Sequence, residues 1–179
     1  ILIANRGEIA VRIIRACKEL DIRSVAIHSD VDNDAMHVRL ADESICVGSA
    51  LPNNSYLNIP NIISAIEITG ADAVHPGYGF LSENDNFADI LTKHDVKFIG
   101  PSSKSILELG NKSNALKLAN KHGLPILGNE EIKNINTTKD AIKIANDIGL
   151  PVVIKAAYGG GGKGMRVFNK IDEINQYFS

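Results

Sequence analysis

The sequence predicts an α/β protein that begins with a parallel sheet. Through residues 1–100, short apolar runs alternate with helical patterns of about ten to fifteen residues, which is typical of βαβ units. Through residues 101–179, helical patterns come first, and two strand patterns then flank a run of four glycines. We therefore expect one α/β domain over residues 1–100 and the first part of a second domain over residues 101–179. The chain starts within a strand pattern and stops at a helix pattern without a packing partner, so we interpret it as a fragment.

The elements of the first region follow from local patterns. The apolar run ILIA, residues 1–4, predicts a strand that is buried on both faces. Apolar residues then recur at helical spacing from residue 8 to residue 20, which predicts a helix. Pro60 and Gly70 mark the start and the end of another helix, because Pro is favoured in a first turn and Gly just after a last turn. Further strands are predicted at residues 24–29, 44–48, 71–77 and 96–100, and further helices at residues 35–40 and 83–94.

The second region predicts helices followed by a β-hairpin. Two consecutive helices are broken near Gly110, and a later helix has Thr137 and Asp140 at the spacing of a capping box. Strand-like runs on both sides of the glycines indicate a hairpin. The predicted ranges are 102–123 for the first two helices, 124–128 for a short extended segment, 137–148 for the third helix, and 151–157 and 165–168 for the strands.

Composition and charge exclude several classes of function. A net charge of −2 provides no basic field for nucleic acid. No apolar run reaches transmembrane length and no signal peptide precedes the first strand, so the sequence predicts a cytoplasmic protein without a membrane partner. Cys17 and Cys46 are too few for a disulfide framework or a zinc cluster, and we interpret both as small core residues. The histidines have no metal-ligand spacing.

The glycine run YGGGGKGMR, residues 158–166, is the main candidate for function. A P-loop is excluded because Lys163 is followed by Gly164 and a strand, whereas the P-loop lysine is followed by Ser or Thr and a helix. A dinucleotide fingerprint is matched only in part, by GYGFLS at residues 77–82, and a lone partial match is weak evidence.

A mobile flap over phosphates fits the residue types of the glycine run better. Glycine lets backbone N–H groups approach an anion closely, and Lys163 and Arg166 add positive charge. Lys155 ends an otherwise apolar strand, where an ammonium group is costly unless it meets an anion or water. Val153 shares the face of Lys155, since side chains alternate along a strand. A flexible hairpin tip with solvated cations has the same composition, and this alternative stays open.

Three further segments have both a functional and a structural interpretation. NRGE, residues 5–8, precedes a helix and is either an anion site or a turn with Asn5 as cap and Arg6 in an ion pair. His75 lies at a strand end, where α/β sheets place ligands, but no partner for metal or nucleophilic chemistry is spaced near it, so a structural role is favoured. DVDND, residues 30–34, lacks the glycine and the terminal glutamate of a calcium loop.

Five segments, in order along the chain, resemble the amino-terminal part of biotin carboxylase, an ATP-grasp enzyme. The resemblance covers essentially all 179 residues, and it is strongest to the separate biotin carboxylase subunit of acetyl-CoA carboxylase. The segments are IANRGEIAVRIIRACKEL (3–20), HPGYGFLSEN (75–84), FIGPS (98–102), GNKSNA (110–115) and VIKAAYGGGGKGMRV (153–167).

The resemblance implies a Rossmann-like amino-terminal domain followed by the start of an ATP-grasp domain. It implies a ligase that activates bicarbonate with ATP and then carboxylates biotin on a biotin carboxyl carrier protein. This is the first half-reaction of acetyl-CoA carboxylase in fatty-acid synthesis, in which carboxyltransferase subunits are further partners. The resemblance places the Mg²⁺ ligands and the residues that handle bicarbonate and biotin beyond residue 179, so it implies no catalytic or metal residue within this fragment.

The resemblance also implies roles for individual residues. Lys112 matches a lysine that contacts the nucleotide, and Lys155 matches a lysine on the ATP phosphates. The lid loop over the phosphates is matched by Gly159, Gly160, Gly161, Gly162 and Lys163. The family's homodimer interface is matched by Arg12, Arg15 and Glu19. The departures are Asn111 for a usual Asp, Lys163 for a frequent Arg, and Tyr158 for a small residue.

Two alternatives to the separate subunit remain open. One is the equivalent segment of a larger carboxylase for pyruvate, propionyl-CoA or methylcrotonyl-CoA, which a biotinyl domain fused later in the polypeptide would indicate. The other is a non-catalytic nucleotide-binding module. Because the resemblance places the metal carboxylates outside the fragment, we expect no ATPase activity from these 179 residues alone.

Overall fold

The computed structural model of the chain describes residues 1–125, 135, 137–155 and 165–178. The strands are β1 (Leu2–Ile3), β2 (Val25–Ser29), β3 (Glu43–Gly48), β4 (Ala73–His75), β5 (Lys97–Phe98), β6 (Val152–Lys155) and β7 (Met165–Phe168). The helices are α1 (Gly7–Glu19), α2 (Met36–Leu40), α3 (Ile59–Thr69), α4 (Asp85–Lys93), α5 (Ser103–Gly110), α6 (Lys112–Lys121), α7 (Thr138–Ile148) and α8 (Ile171–Phe178). None of the helices within these residues has both the length and the apolar character needed to span a bilayer.

A parallel sheet with the strand order β3-β2-β1-β4-β5 organises the first part of the chain. β1 is central, and Leu2 pairs with Val25 of β2 on one edge and with Val74 of β4 on the other. The chain therefore leaves β1 toward one side of the sheet and later returns to its other side. This arrangement confirms the predicted parallel α/β fold.

Both faces of the sheet are covered, as the apolar run at residues 1–4 predicts. Ile3 packs with the buried stripe of α1, which includes Ile14 and Cys17. Leu2 packs into the larger core on the opposite face, where α3 and α4 contribute Ile62 and Phe87. The helical spacing of apolar residues predicts that α1 extends to Leu20. The observed helix ends at Glu19, and the Leu20 side chain is 69% exposed.

The prediction that both cysteines are core residues is confirmed for Cys17 and wrong for Cys46. Cys17 is buried and Cys46 is exposed. β3 is an edge strand that pairs with β2 alone in the sheet, and its side chains alternate between the inner and the outer side. Val47 therefore lies in the core while Cys46 faces outward.

Some predicted strands are longer than the observed ones, and their partners explain the difference. The run at residues 71–77 forms a strand only over Ala73–His75. β4 pairs with β1 over two residues, so a longer β4 would have no residues of β1 to pair with.

α3 begins and ends where Pro60 and Gly70 predict, and the two helices near Gly110 are both present. The extended segment predicted at residues 124–128 lies largely outside the described residues.

β6 and β7 form the predicted hairpin, with Val152 opposite Phe168 in an antiparallel pair. α7 and α8 cover one face of this pair, and Ala141, Phe168 and Ile174 are buried there.

The chain divides into two compact units, residues 1–107 and 108–179. The domain limits of 1–100 and 101–179 stay a prediction.

Candidate functional site

The hairpin brings the two ends of the glycine run together. β6 ends at Lys155, which pairs with Met165, the first residue of β7. All four glycines, Gly159, Gly160, Gly161 and Gly162, and also Lys163, lie outside the described residues.

The two faces of the hairpin differ in burial. Val152, Ile154 and Phe168 pack against α7 and α8. On the opposite face, Val153 and Val167 face each other across the pair and are 48% and 56% exposed. Met165, the partner of Lys155, is 50% exposed. This face of the hairpin therefore carries an exposed apolar surface.

Arg166 packs against two aromatic rings of the second unit. Its guanidinium carbon lies 5.0 Å from the ring centre of Tyr177 on α8 and 5.9 Å from that of Phe168. The two rings meet edge to face at 5.4 Å. Arg166 therefore stabilises the packing of α8 through cation–π contacts. Its contribution of positive charge to the loop stays a prediction, because residues 156–164 lie outside the described residues.

Lys112 is the first residue of α6, so Lys112 and Lys155 belong to different elements. Asn111 precedes α6, and its side-chain oxygen accepts a hydrogen bond from the Asn114 N–H at 3.2 Å. Asn111 thus caps the helix that begins with Lys112. The departure from the usual Asp at this position keeps the capping oxygen.

Asn5 joins the carboxyl ends of β1 and β4. Its amide nitrogen donates to the carbonyl oxygens of Pro76 at 2.7 Å and Tyr78 at 2.8 Å. The interpretation of Asn5 as a helix cap is wrong, because Arg6 is the N-cap and α1 has no side-chain cap. A Cβ on Gly77 would lie 2.9 Å from the Asn5 amide nitrogen, so this close approach requires glycine.

Arg6 takes part in a polar cluster, as its ion-pair interpretation predicts. Its guanidinium donates to Asp32 Oδ2 at 3.2 Å and lies 5.2 Å from the ring centre of Tyr56. The same Oδ2 accepts hydrogen bonds from the Tyr56 hydroxyl at 2.6 Å and the Ser29 hydroxyl at 2.9 Å. Burial opposes ionisation of Asp32, but these hydrogen bonds outweigh it and lower the pKa of the carboxyl group.

Burial affects the rings of His75 and His37, of which His75 is partly buried and His37 is almost completely buried. His75 Nδ1 accepts a hydrogen bond from the Gly77 N–H at 3.0 Å, which agrees with the favoured structural role. His37 is 1% exposed, and its Nε2 lies 3.2 Å from the Ile27 carbonyl oxygen. Burial lowers the pKa of both rings. Sequence spacing gave no indication that His37 is buried.

A groove of about 750 Å³ lies between α1 and α2. Arg12, Arg15 and Glu19 line it from α1, and Met36 and His37 line it from α2. The three α1 side chains are exposed. Among the residues that the structure describes, no three His, Cys, Asp or Glu side chains are placed to hold a metal ion.

Comparison with protein families gives two matches that together cover most of the chain. The model of the biotin carboxylase N-terminal domain matches residues 1–106. The model of the ATP-binding domain of the carbamoyl-phosphate synthase L chain matches residues 111–179.

Relatives and solved structures agree with these matches. Biotin carboxylase of Haemophilus influenzae is 51% identical over 98% of this chain and 39% of its own length. The mitochondrial propionyl-CoA carboxylase alpha chain of Caenorhabditis briggsae is 52% identical over 93% of this chain and 22% of its own length. The chain thus spans about two fifths, or less, of the relatives it matches.

Among solved structures, the Campylobacter jejuni biotin carboxylase–β,γ-ATP complex has a TM-score of 0.93 and 46% identity over 98% of this chain and 39% of its own. The biotin carboxylase domain of Hydrogenobacter thermophilus 2-oxoglutarate carboxylase, a dimer with MgADP, ADP and bicarbonate, has a TM-score of 0.92 and 41% identity over 98% of this chain and 38% of its own. With the parallel sheet, the hairpin and the family match over residues 1–106, these likenesses lead to one conclusion: the chain belongs to the biotin carboxylase family.

Proposed function

We propose that the chain forms the amino-terminal domain and part of the nucleotide-binding domain of a biotin carboxylase. The complete enzyme uses ATP to activate bicarbonate and carboxylates biotin on a biotin carboxyl carrier protein. In this proposal the enzyme lies in the cytoplasm and works with carboxyltransferase subunits. It catalyses the first half-reaction of acetyl-CoA carboxylase in fatty-acid synthesis. The ATP-bound and ADP-bound relatives described above support this assignment.

The β6–β7 hairpin is the observation that carries the proposal. Lys155 lies three residues before Tyr158, the first residue of the glycine run, and the exposed apolar face of Val153, Met165 and Val167 lies on the same pair of strands. In the proposed complex, this face covers the apolar part of ATP while Lys155 meets its phosphates. Gly159, Gly160, Gly161, Gly162 and Lys163 close over the phosphates, and Lys112 contacts the nucleotide from α6.

The electrostatics of phosphoryl transfer support these roles. Transfer from ATP depends on positioning and on neutralising the charge of the phosphates, for which lysines and backbone N–H groups are suited. Carboxyphosphate, the activated form of bicarbonate, is readily hydrolysed, so a lid that excludes water has a clear purpose. Mg²⁺ would be held by carboxylates beyond residue 179, and no role for it is assigned to the residues of this chain.

Nucleotide binding to the 179-residue chain tests the proposed site. We expect a fluorescent ATP analogue to bind, and Lys155→Gln to weaken its binding tenfold or more, because a lost charge-assisted hydrogen bond costs about 1.5–3 kcal/mol. Lys143→Gln, at an exposed position on α7, is the matched control and leaves the affinity unchanged. Equal affinities for the two variants would remove Lys155 from the site.

Catalysis is tested on the longer polypeptide that contains this chain and is as long as the complete relatives. We expect ATP cleavage that depends on both bicarbonate and biotin. The 179-residue chain alone, without the metal carboxylates, is expected to show none. ADP release by the short chain in the presence of bicarbonate would contradict this division of the site, and cleavage by neither polypeptide would favour a non-catalytic nucleotide-binding module.

A larger carboxylase is the second candidate. The propionyl-CoA carboxylase alpha chain of Caenorhabditis briggsae, at 52% identity, is as similar to the chain as the biotin carboxylase of Haemophilus influenzae, at 51%. Pyruvate and methylcrotonyl-CoA carboxylases belong to the same candidate class. The polypeptide sequence after residue 179 separates the candidates, because a fused biotinyl domain excludes the separate subunit.

The proposal includes a homodimer contact through the groove between α1 and α2. Arg12, Arg15 and Glu19 are exposed on α1 and line this groove, so opposite charges on a second copy have partners there. In sedimentation velocity experiments, we expect Arg15→Glu to weaken self-association at least tenfold. Lys18→Glu changes an exposed cation on α1 outside the groove and serves as the control. Equal effects of the two variants would place the contact elsewhere.

A further inference from the structure

His37 is a buried titratable ring that the nucleotide site does not use. Its Nε2 lies 3.2 Å from the carbonyl oxygen of Ile27 on β2, so a neutral ring donates its proton there. Its Nδ1 is buried and has no hydrogen-bond partner among the described residues. Buried polar atoms without a partner are rare in folded proteins, and each one calls for a physical explanation.

The ring of His37 is the anchor of α2. Of the five residues of this helix, only His37 is buried. A helix of this length has no stability of its own in water and depends on its packing. His37 supplies the fully buried part of that packing by inserting between α2 and β2, and it also lines the groove beside α1, whereas Leu40 packs against the buried stripe of α1 and is only partly buried.

Protonation of His37 opposes this packing for two reasons. The added proton turns Nδ1 into a buried donor without an acceptor, and the ring then carries a charge in a site shielded from water. Burial is the largest effect on the ring and lowers its pKa. The Ile27 carbonyl oxygen and Asp32 favour the charged ring, whereas His28 and Arg6 oppose it. The charged groups that line the groove with His37 are Glu8, Arg12, Arg15 and Glu19.

The direction of the pH effect follows from the lowered pKa. The unfolded or detached ring takes up a proton near pH 6.5, and the packed ring takes it up only at a lower pH. The stabilisation from packing His37 is therefore complete above pH 6.5 and is lost as the pH falls toward the lower value.

We propose that α2 is released by acid: protonation of His37 detaches the helix from β2 and dismantles the groove between α1 and α2. The neutral ring fits between the two elements and the charged ring does not, so the helix that depends on it moves into water. A second step rests on the proposed function. If the groove forms the homodimer contact, acidification also weakens self-association.

Hydrogen exchange in the 179-residue chain tests the release of α2. After correction for intrinsic exchange rates, we expect the protection of residues 36–40 to fall several-fold, and at most about tenfold, between pH 7.5 and pH 5.5, because a single histidine that is protonated near pH 6.5 when detached allows no larger change. His37→Gln keeps a donor for the Ile27 carbonyl oxygen but cannot be protonated, so its α2 should lose no protection. His94→Gln removes an exposed histidine and should behave like the unsubstituted chain. Equal protection at both pH values, or the same loss in His37→Gln, would overturn the proposal.

Nuclear magnetic resonance of the unsubstituted chain keeps the test decisive if His37→Gln does not fold. The ring nitrogens of His37 should remain neutral until the pH is below 6.5, and their protonation should coincide with the loss of α2 protection. A ring that is protonated while α2 stays protected would refute the mechanism.

Sedimentation velocity separates the two steps. We expect the unsubstituted chain to dissociate at pH 5.5 and His37→Gln to remain associated. A chain that is monomeric at both pH values contradicts the proposed dimer, and the release of α2 is then decided by hydrogen exchange alone.

Discussion

Tyr56 contacts the end of β2 and the segment after it through its hydroxyl group, and it contacts Phe80 through its ring. The side chain is fully buried, and its hydroxyl accepts a hydrogen bond from the Ser29 N–H at 3.0 Å and donates one to Asp32 Oδ2 at 2.6 Å. Its ring stacks on Phe80 with 5.2 Å between the ring centres. Burial and the hydrogen bond to Asp32 raise the pKa of Tyr56 to about 12, so the hydroxyl is protonated and donates at neutral pH.

Removing this hydroxyl should destabilise the chain clearly. Tyr56→Phe leaves the Ser29 N–H without its acceptor, and we expect the free energy of unfolding to fall by about 1–3 kcal/mol. Tyr78→Phe is the control, because the Tyr78 hydroxyl bonds Glu8 at an exposed position and its loss should change stability by less than about 0.5 kcal/mol. Urea unfolding followed by circular dichroism measures both, and equal losses would contradict the role of the buried hydroxyl.

At the scale of elements, α7 begins where its sequence predicts and for the predicted reason. Thr137 is its N-cap, and the Thr137 hydroxyl accepts a hydrogen bond from the Asp140 N–H at 3.2 Å. The same hydroxyl donates to Asp140 Oδ2 at 2.7 Å. The two residues therefore satisfy a first-turn N–H group and hold each other in place.

The cap can be tested with a pair of substitutions. Thr137→Ala removes the accepting oxygen and should lower the stability of α7 by about 1 kcal/mol. Thr137→Ser keeps the hydroxyl and should cost much less. Hydrogen exchange of the α7 amides reports the local effect, and identical exchange in the two variants would show that the hydroxyl does not cap the helix.

The end of β3 depends on a backbone approach that only glycine permits. Gly48 has φ +143°, and a Cβ at this position would lie 1.9 Å from the Asn54 carbonyl oxygen. We expect Gly48→Ala to lower the free energy of unfolding by at least about 2 kcal/mol, since the backbone of β3 or of the loop must move. Gly110→Ala is the control, because a Cβ added at Gly110 has no heavy atom within 4 Å. Urea midpoints that shift equally for both variants would contradict this account.

Elements with local causes were predictable, and those with distant causes were not. Pro60 and Gly70 delimit α3 within the sequence itself, and the observed helix agrees. The exposure of Cys46 depends on which strand lies at the edge of the sheet, and no pattern within β3 indicates that. The position of Arg166 likewise depends on Tyr177 of α8, which packs against the hairpin only in the folded chain.

The candidate site shows the same limit. Residue types identified the glycine run and the lysine before it, because the chemistry of phosphate binding restricts composition. The polar cluster around Asp32 was missed, since its donors Arg6 and Tyr56 lie 26 and 24 residues away along the chain. His37 was missed because burial of a ring is a property of packing and not of spacing.

At the scale of the whole molecule, acid should reduce stability in two steps. Burial lowers the pKa of His37 and His75, so their stabilisation is complete above pH 6.5 and is lost below it. For Asp32, hydrogen bonds outweigh burial, and for Asp42, hydrogen bonds from Ser24 lower the pKa. The stabilisation from these carboxylates is present above pH 3.8 and is lost as the pH falls further.

Urea unfolding between pH 7.5 and pH 2.5 measures the two steps. The combined substitution of His37 and His75 by Gln should flatten the first step and leave the second. Asp42→Asn should reduce the second step alone. A free energy of unfolding that is constant from pH 7.5 to pH 5 would contradict the histidine contribution.

The position of β1 also affects the protein while it is being synthesised. β1 takes β4 as its second neighbour, and the amide of Asn5 bonds the carbonyl groups of Pro76 and Tyr78. A ribosome makes β1 and β2 long before it makes these partners. Until then, the nascent chain carries an apolar strand with one unpaired edge and an unsatisfied amide. That interval ends only when β4 emerges and pairs with β1.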